Sequence, residues 1–352
     1  MTPSLPALHA LGFDAFFEEQ LKDRTGLPAR VAAEHRGGYE VWSAQGQGLA
    51  QLAGRLMRAL EADAFPGVGD WVLLKAHPGP GQTSIIDRVL QRRSEFLRGA
   101  AGKDSRVQII AANVDRVFVV CGLDDDYNPR RIERYLARIW ASGAEPAVVL
   151  NKADLCDDVE TRVFEVESAS PGVEVLTTSA LKVEGIEGIR TRVGPGQTAA
   201  FVGSSGAGKS TLINALLGEE RMATRAVSDR DGRGRHTTTH RQLIRLPEGG
   251  LLIDTPGMRE LQLVDEDGLD SVFSDIQDLA EGCRFRDCSH HSEPGCAVRQ
   301  AVEAGELPAE RLAHYRELDA EAQAYALRHN EHERRKADRA FGKITREADR
   351  IR

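Results

Sequence analysis

Cysteine is scarce: the chain of 352 residues has five. That is too few for a disulfide framework, so the expected compartment is a reducing cytoplasm. Long apolar runs are missing as well. The longest, such as Arg116-Val-Phe-Val-Val-Cys-Gly-Leu123, fall short of the roughly 18 residues a membrane span needs and suit buried strands. No membrane association is expected. The N-terminal stretch carries Asp14, Glu18 and Glu19 with no basic segment, so a secretory signal is not expected either. There is no overall excess of positive charge: 46 basic against 54 acidic residues leave a net charge of −8. This argues against a wholly basic nucleic-acid coat but leaves local patches open. What is present is 41% apolar and 28% charged residues, the composition of a globular protein rather than a disordered one. The length suits two to three domains.

The charge is unevenly spread. From Arg328 to Arg352 there are nine Lys or Arg against five Asp or Glu. A second basic stretch holds Arg88, Arg92, Arg93, Arg98, Lys103 and Arg106. Either run alone reads as a solvated face; two on an acidic chain favour a polyanionic partner.

Residues 1–30 form an N-terminal extension with one amphipathic stretch, Phe13 to Leu21. Residues 31–100 contain short β-like runs, among them Tyr39-Glu-Val-Trp-Ser, Asp70-Trp-Val-Leu-Leu-Lys and Ser84-Ile-Ile-Asp-Arg-Val-Leu, punctuated by Gly37-Gly38, Pro66-Gly67 and Pro78-Gly-Pro-Gly81. Five such runs fit a small OB-type barrel, a fold often used to bind nucleic acid. Across residues 105–265 apolar strands (Arg116–Leu123, Pro146–Leu150, Val173–Thr177, Thr198–Val202, Leu251–Asp254) alternate with helices such as Arg130–Ser142 and Lys209–Leu217. That rhythm implies a parallel α/β sheet covered on both faces. Residues 266–352 lose the strand pattern and become charged helical segments with a cysteine cluster and a basic tail. The expected fold is multidomain: an N-terminal OB-type β-barrel, a central α/β P-loop domain and a C-terminal helical domain.

Gly203-Ser204-Ser205-Gly206-Ala207-Gly208-Lys209-Ser210 matches the phosphate-binding pattern GxxxxGK[ST] between a strand and a helix. The glycines let successive N–H groups turn inward around phosphates, and the helix N-terminus adds favourable partial charge. Lys209 is placed to reach the β- and γ-phosphates; Ser210, next to Thr211, is placed to ligate Mg²⁺. In Leu251-Leu-Ile-Asp254-Thr-Pro-Gly257, Asp254 brings a carboxylate near the metal, and the Gly257 N–H is suited to sense the γ-phosphate. Base choice lies in Asn151-Lys152-Ala153-Asp154. A carboxylate accepts both N1–H and the exocyclic amino group of guanine, whereas adenine would leave Asp154 unpaired. Asn151 is expected to hold the base edge and Lys152 to pack its stem on the ring. The backbone of Thr178-Ser179-Ala180 is expected to meet the guanine carbonyl. GTP and GDP are the implied nucleotides.

The order of these elements is unusual. In Ras-like GTPases the phosphate loop comes first; here NKxD and SA precede the P-loop, a threonine-rich switch and DTPG. The set is complete but circularly permuted, with 182–197 as the new join. The flanking domains therefore attach beside the switch regions. With the barrel, the permuted order, Gly234-Arg-His-Thr-Thr-Thr239 and a terminal cysteine cluster, nearly the whole chain resembles the small-ribosomal-subunit-dependent GTPase family, RsgA or YjeQ. The resemblance implies an OB barrel, a permuted GTPase domain and a zinc-binding helical domain. It further implies GTP hydrolysis stimulated by the small (30S) ribosomal subunit and its rRNA, as a late checkpoint in that subunit's assembly. A GTP-gated rRNA-binding module with incidental turnover is the alternative. A monomer is expected.

Cys283-x₄-Cys288-x-His290-x₅-Cys296 offers three thiols and an imidazole, the inventory of a closed tetrahedral zinc site. His291 is the adjacent alternative ligand, but the CxH spacing and the family pattern both favour His290. With no open position the zinc is expected to be structural. Two departures matter. Met258 follows DTPG where Ras-like enzymes place a water-orienting glutamine, and Gly206 stands where potassium-activated GTPases carry asparagine. The first requires another catalytic group. His236, in Gly232-Arg-Gly-Arg-His236-Thr-Thr238-Thr239, is the candidate, with Thr238 contacting Mg²⁺ and the γ-phosphate; an imidazole orients water or accepts its proton near neutral pH. Without it, catalysis would be supplied elsewhere, by the ribosome itself.

Overall fold

A computed structural model describes residues 5–22, 24–35, 37–60, 64–79, 81–98, 108–219, 241–254 and 267–324. The chain divides into two compact units, Met1–Ala100 with Arg106–Gln262, and Ala101–Ser105 with Leu263–Arg352. The basic tail from Arg328 lies outside the described residues, as do Lys103 and Arg106.

The first unit begins with the barrel: β1 (Leu27–His35), β2 (Gly38–Ser43), β3 (Gly46–Leu52), β4 (Trp71–Leu74) and β5 (Thr83–Val89). β1, β2 and β3 form an antiparallel meander, β3 runs parallel to β5, and β4 pairs antiparallel with both β5 and β1. That last pairing closes the ring, so the OB-type barrel is borne out. The period of two is visible in what fills it. Ala29, Val31, Val41, Val72, Leu74 and Ile86 point inward. Trp71 and Leu73, one residue out of phase, face Leu8, Leu11, Phe13 and Phe17 outside the barrel. The N-terminal stretch is thus part of a core: two five-residue helices, Leu5–His9 and Ala15–Glu19, cover one outer face of the barrel. A small separate sheet follows, β6 (Glu95–Arg98) paired with β7 (Gln108–Ala112).

The second sheet region comprises β8 (Arg116–Gly122), β9 (Glu145–Asn151), β10 (Glu174–Thr177), β11 (Thr198–Val202), β12 (Gln242–Arg245) and β13 (Leu251–Asp254). Their spatial order is β10-β9-β8-β11-β13-β12, all parallel except β12. β11 and β13 are buried at every position, which is why they read as unbroken apolar runs. Helices Pro129–Ala141, Val159–Ala169 and Lys209–Leu217 stand where the strand–helix rhythm placed helices. Leu212, Ile213 and Leu216 of the last pack on Phe118, Val120, Val149 and Phe201. β11, carrying the P-loop at its end, lies between β8 and β13; the chain leaves β8 towards β9 on one side and leaves β11 towards β12 and β13 on the other. The crevice at such a topological switch point is the usual ligand position in an open α/β sheet.

Barrel and α/β sheet are one hydrogen-bonded sheet, because β12 pairs with β1 at Ala33 and Gln242. Arg245 of β12 lies over the Trp42 ring of β2 at 4.9 Å.

The regular elements described in the second unit are helices: Asp267–Val272, Ser274–Ala280, Ala297–Ala304 and residues 309–324. Phe273 and Ile276 are fully buried with Val298, Leu312 and Leu318. Arg311 stacks on Phe273 at 4.9 Å and pairs with Asp275, tying the last helix to the second. No helix among the described residues is long and apolar enough to cross a membrane.

Candidate nucleotide site and metal cluster

The P-loop geometry accounts for each of its glycines. Gly203, Gly206 and Gly208 all have positive φ, at 138°, 86° and 98°. A side chain at Gly203 would lie 2.1 Å from the Val120 carbonyl oxygen of β8, and one at Gly208 would lie 2.1 Å from Asn151 Nδ2. Gly206 faces open space, so it serves the turn alone. Ser205 and Gly206 are exposed, and Ala207 is fully buried beneath them. Gly208 caps the helix Lys209–Leu217, setting Ser210 and Thr211 in its first turn. Lys209 Nζ donates to the carbonyls of Gly203 at 2.8 Å and Ser204 at 2.6 Å. The ammonium therefore sits inside the loop's own curve, where phosphate oxygens would replace those carbonyls.

Asn151 is 2% exposed, and its Oδ1 and Nδ2 are both bonded within the protein. Its Oδ1 accepts from the Thr178 hydroxyl and the Ala180 N–H, both at 3.0 Å, and its Nδ2 donates to the Ala207 carbonyl at 2.8 Å. Asn151 thus ties NKxD, SA and the P-loop together, and these three bonds leave one Nδ2 hydrogen unused. Within Thr178-Ser179-Ala180, the Ala180 amide is the one donated to Asn151. Lys152 takes a left-handed backbone, φ 63°, and its Nζ donates to Asp124 Oδ2 at 2.5 Å. Ala153 and Asp154 begin a 3₁₀ turn held by the Ala153 N–H on the Thr178 carbonyl at 3.0 Å. Asp154 is held in turn by Ser179, whose hydroxyl donates to its Oδ1 at 2.6 Å. That bond holds the Asp154 carboxyl below the ordinary carboxylate range and keeps it an acceptor at neutral pH.

Asp254 is buried at the end of β13, beside the P-loop strand. Thr238, His236, Gly257 and Met258 lie outside the described residues. Sequence reasoning missed the loop after β8. Asp124 holds Lys152, and Asp126 Oδ2 accepts from the Ser204 hydroxyl of the P-loop. The available signal was Asp124-Asp-Asp-Tyr-Asn-Pro129 directly after a strand of the same sheet edge.

In the second unit the ligand atoms of Cys283, Cys288, His290 and Cys296 all lie within 4.8 Å of one another. Cys283 and Cys296 sulfurs are 3.9 Å apart, and His290 Nδ1 is 3.7 and 3.4 Å from them. Tetrahedral zinc, with bonds of about 2.3 Å to sulfur and about 2.0 Å to nitrogen, requires roughly 3.8 and 3.5 Å for these separations. The donor set fits zinc. His290 is buried with φ 59° beside the three thiols, while His291 is exposed. Glu293 closes the loop between ligands: the Ser289 and Ser292 amides donate to its oxygens at 3.1 and 3.0 Å. The Ser289 hydroxyl, also bonded to it, is the largest cause of a carboxyl pKa of about 2.

Residues 89–264 match the model of the RsgA GTPase family. The small ribosomal subunit biogenesis GTPase RsgA of Opitutus terrae is 47% identical over 334 residues, 91% of each chain. RsgA 2 of Lactiplantibacillus plantarum is 45% identical over 322 residues, 91% of this chain and 90% of its own length. The chain belongs to the RsgA GTPase family. Among solved structures, YjeQ from Thermotoga maritima superposes with a TM-score of 0.64 at 28% identity, covering 85% of this chain and 99% of its own. YloQ, a circularly permuted GTPase, gives 0.62 at 25%, covering 86% and 97%. The chain is therefore a GTP hydrolase of the circularly permuted type. Its family implies GTP, GDP and Mg²⁺, and its Cys₃His cluster marks a metal-binding helical unit.

Proposed function

We propose that the protein binds the small ribosomal subunit and hydrolyses GTP to GDP and phosphate in response, acting in the maturation of that subunit and leaving it after hydrolysis. The observation that carries this is the joining of a closed OB barrel to the nucleotide-binding sheet through β12, the strand between the switch segment and DTPG. The names of relatives 45–47% identical over nine-tenths of the chain support the same partner. In this reading the protein acts as a cytoplasmic monomer, with 31–100 as the rRNA-facing barrel, 105–265 as the GTPase and 266–352 as the zinc-bearing helical part.

Asp154 reads the guanine edge, with Asn151, Lys152 and Ala153 shaping its turn and Ser179 and Ala180 the facing loop. Gly203 to Thr211 hold the phosphates. Ser210 and Thr238 ligate magnesium, with Asp254 nearby, and Gly257 contacts the γ-phosphate. When bound, magnesium neutralises charge on the phosphates. His236 orients the attacking water in place of the missing glutamine. Single-turnover hydrolysis with purified small subunits is expected to be strongly stimulated in the native protein and mostly lost in His236→Ala, with GTP-dependent co-sedimentation retained. Stimulation surviving in His236→Ala would place the catalytic group elsewhere. GTP-dependent binding with no stimulation at all would favour an RNA-binding module over an enzyme.

Cys283, Cys288, His290 and Cys296 hold one structural zinc. Metal analysis of protein purified without chelator is expected to give one zinc per chain. Cys296→Ser is expected to lose it and to melt the C-terminal unit at lower temperature, with GDP affinity within about twofold of native. Protein returning no zinc would sink the assignment.

A further inference from the structure

We infer that Asp126 is a positioning residue for the P-loop: its carboxylate, backed by Arg131, orients Ser204 and so sets how long guanine nucleotide is retained. This rests on the nucleotide reading above. The segment following β8 makes two ties at once. Asp124 accepts from Lys152 of NKxD, and the Asp126 N–H donates back to Asp124 Oδ1 at 3.2 Å, closing a tight turn. From that turn Asp126 reaches the P-loop, where its Oδ2 accepts from Ser204 Oγ.

The carboxylate is not free to swing away. Arg131 Nη2 donates to its Oδ1 at 2.7 Å and also to the Asp126 backbone carbonyl. Arg131 is itself fixed in the first turn of helix Pro129–Ala141, where its amide donates to the Asn128 cap at 3.0 Å. The pair also limits the charge presented to the loop, since a lone carboxylate beside bound phosphates would repel them. Both side chains are mostly covered, at 19% and 33% exposure, so the contact is stronger than a surface pair.

Three points hold the P-loop against the sheet: Gly203 against Val120, Ala207 through Asn151, and Ser204 through Asp126. Lys209 adds a tie to the Ser204 carbonyl, but this is the tie that incoming phosphates displace. As nucleotide enters or leaves, Ser204 is then steadied by Asp126. Loss of that bond leaves the loop's ascending limb to sample conformations in which its N–H groups no longer converge on phosphate.

The test is dissociation of a fluorescent GDP analogue from the full chain, by stopped flow, in Asp126→Ala, Ser204→Ala and the double variant. Each single change is expected to raise the dissociation rate about tenfold, and the double to raise it no further, because both remove one interaction. KM for GTP is expected to rise in step in Asp126→Ala, with kcat at saturation changing much less. Asp126→Asn, which keeps an acceptor for Ser204, is expected to fall between native and alanine. Single effects that multiply in the double, or a rate unchanged in either single, would overturn the inference. Ser204→Ala alters an outer loop position and keeps the test independent of folding. A native protein binding no guanine nucleotide would instead fail the functional reading itself.

Discussion

Asn151→Ala is expected to weaken GDP binding about 100-fold, because Asn151 holds three segments of the nucleotide site together. Its amide makes three buried hydrogen bonds, to Thr178, Ala180 and Ala207. Their obligate roles fix its orientation, since the Ala180 N–H only donates and the Ala207 carbonyl only accepts. Truncation leaves a hydroxyl, an amide and a carbonyl unpaired in a site that is 2% exposed. At about 1–3 kcal/mol for each unmet buried group, with partial relaxation, roughly 3 kcal/mol is lost from the arrangement that binds nucleotide. That is about two decades of affinity. Asn151→Asp is expected to be worse, because an oxygen would then face the Ala207 carbonyl and a charge would be buried beside it. Titration with fluorescent GDP checks both; alanine-variant binding within threefold of native would show that the three segments hold their places without Asn151.

The internal bonds of Asn151 show what a motif conveys and what it leaves out. NKxD specifies residue types at a strand end, and those types suffice to locate a base-reading turn. They do not say which polar atoms are spent inside the protein before a ligand arrives. The P-loop was legible in finer detail because its glycines answer to backbone geometry: two of the three leave no room for a Cβ. The strand–helix alternation was legible because a parallel sheet buried on both faces produces continuous apolar strands such as β11. The clustering of Cys283, Cys288, His290 and Cys296 was legible because spacing within one short loop nearly dictates contact. The N-terminal extension was not. Helices of five residues are too short to show a period, and Leu8, Leu11, Phe13 and Phe17 become a core only against Trp71 and Leu73, some 50–65 residues away in the chain. Asp126 was hidden for a similar reason, since its partner Ser204 comes 78 residues later.

Arg30 was the least legible residue of all, and its replacement by methionine is expected to lower the stability of the first unit by about 3–5 kcal/mol. In sequence it is an ordinary arginine near the start of a strand. In the fold it is 1% exposed and serves three carbonyls: Gly69 through Nε at 3.1 Å, Leu11 through Nη1 at 2.5 Å and Asn113 through Nη2 at 2.9 Å. These belong to the N-terminal extension, the barrel and the entry to the α/β sheet, so one guanidinium joins all three. Burial pushes its pKa down to about 10, with Asp115 and then Asp70 opposing, so it remains charged at neutral pH. The surroundings allow little adjustment. Gly69 has φ 95° and no room for a side chain against the Ala112 carbonyl, while Asn113, at φ 54°, also bonds the Gly69 carbonyl at 3.1 Å. Methionine fills much of the volume but leaves the Leu11 and Asn113 carbonyls without their donor. Lysine is expected to recover less than half of the loss, because a single ammonium cannot span three diverging acceptors. Beyond Arg30, the barrel's strand pairing to the α/β sheet among the described residues is the register Ala33 to Gln242. Urea unfolding followed by tryptophan fluorescence should therefore show a lower midpoint and a broader transition, as barrel and sheet begin to unfold separately. A variant losing less than about 1 kcal/mol, with the transition still sharp, would mean that the junction is held by packing around Trp71 rather than by the guanidinium.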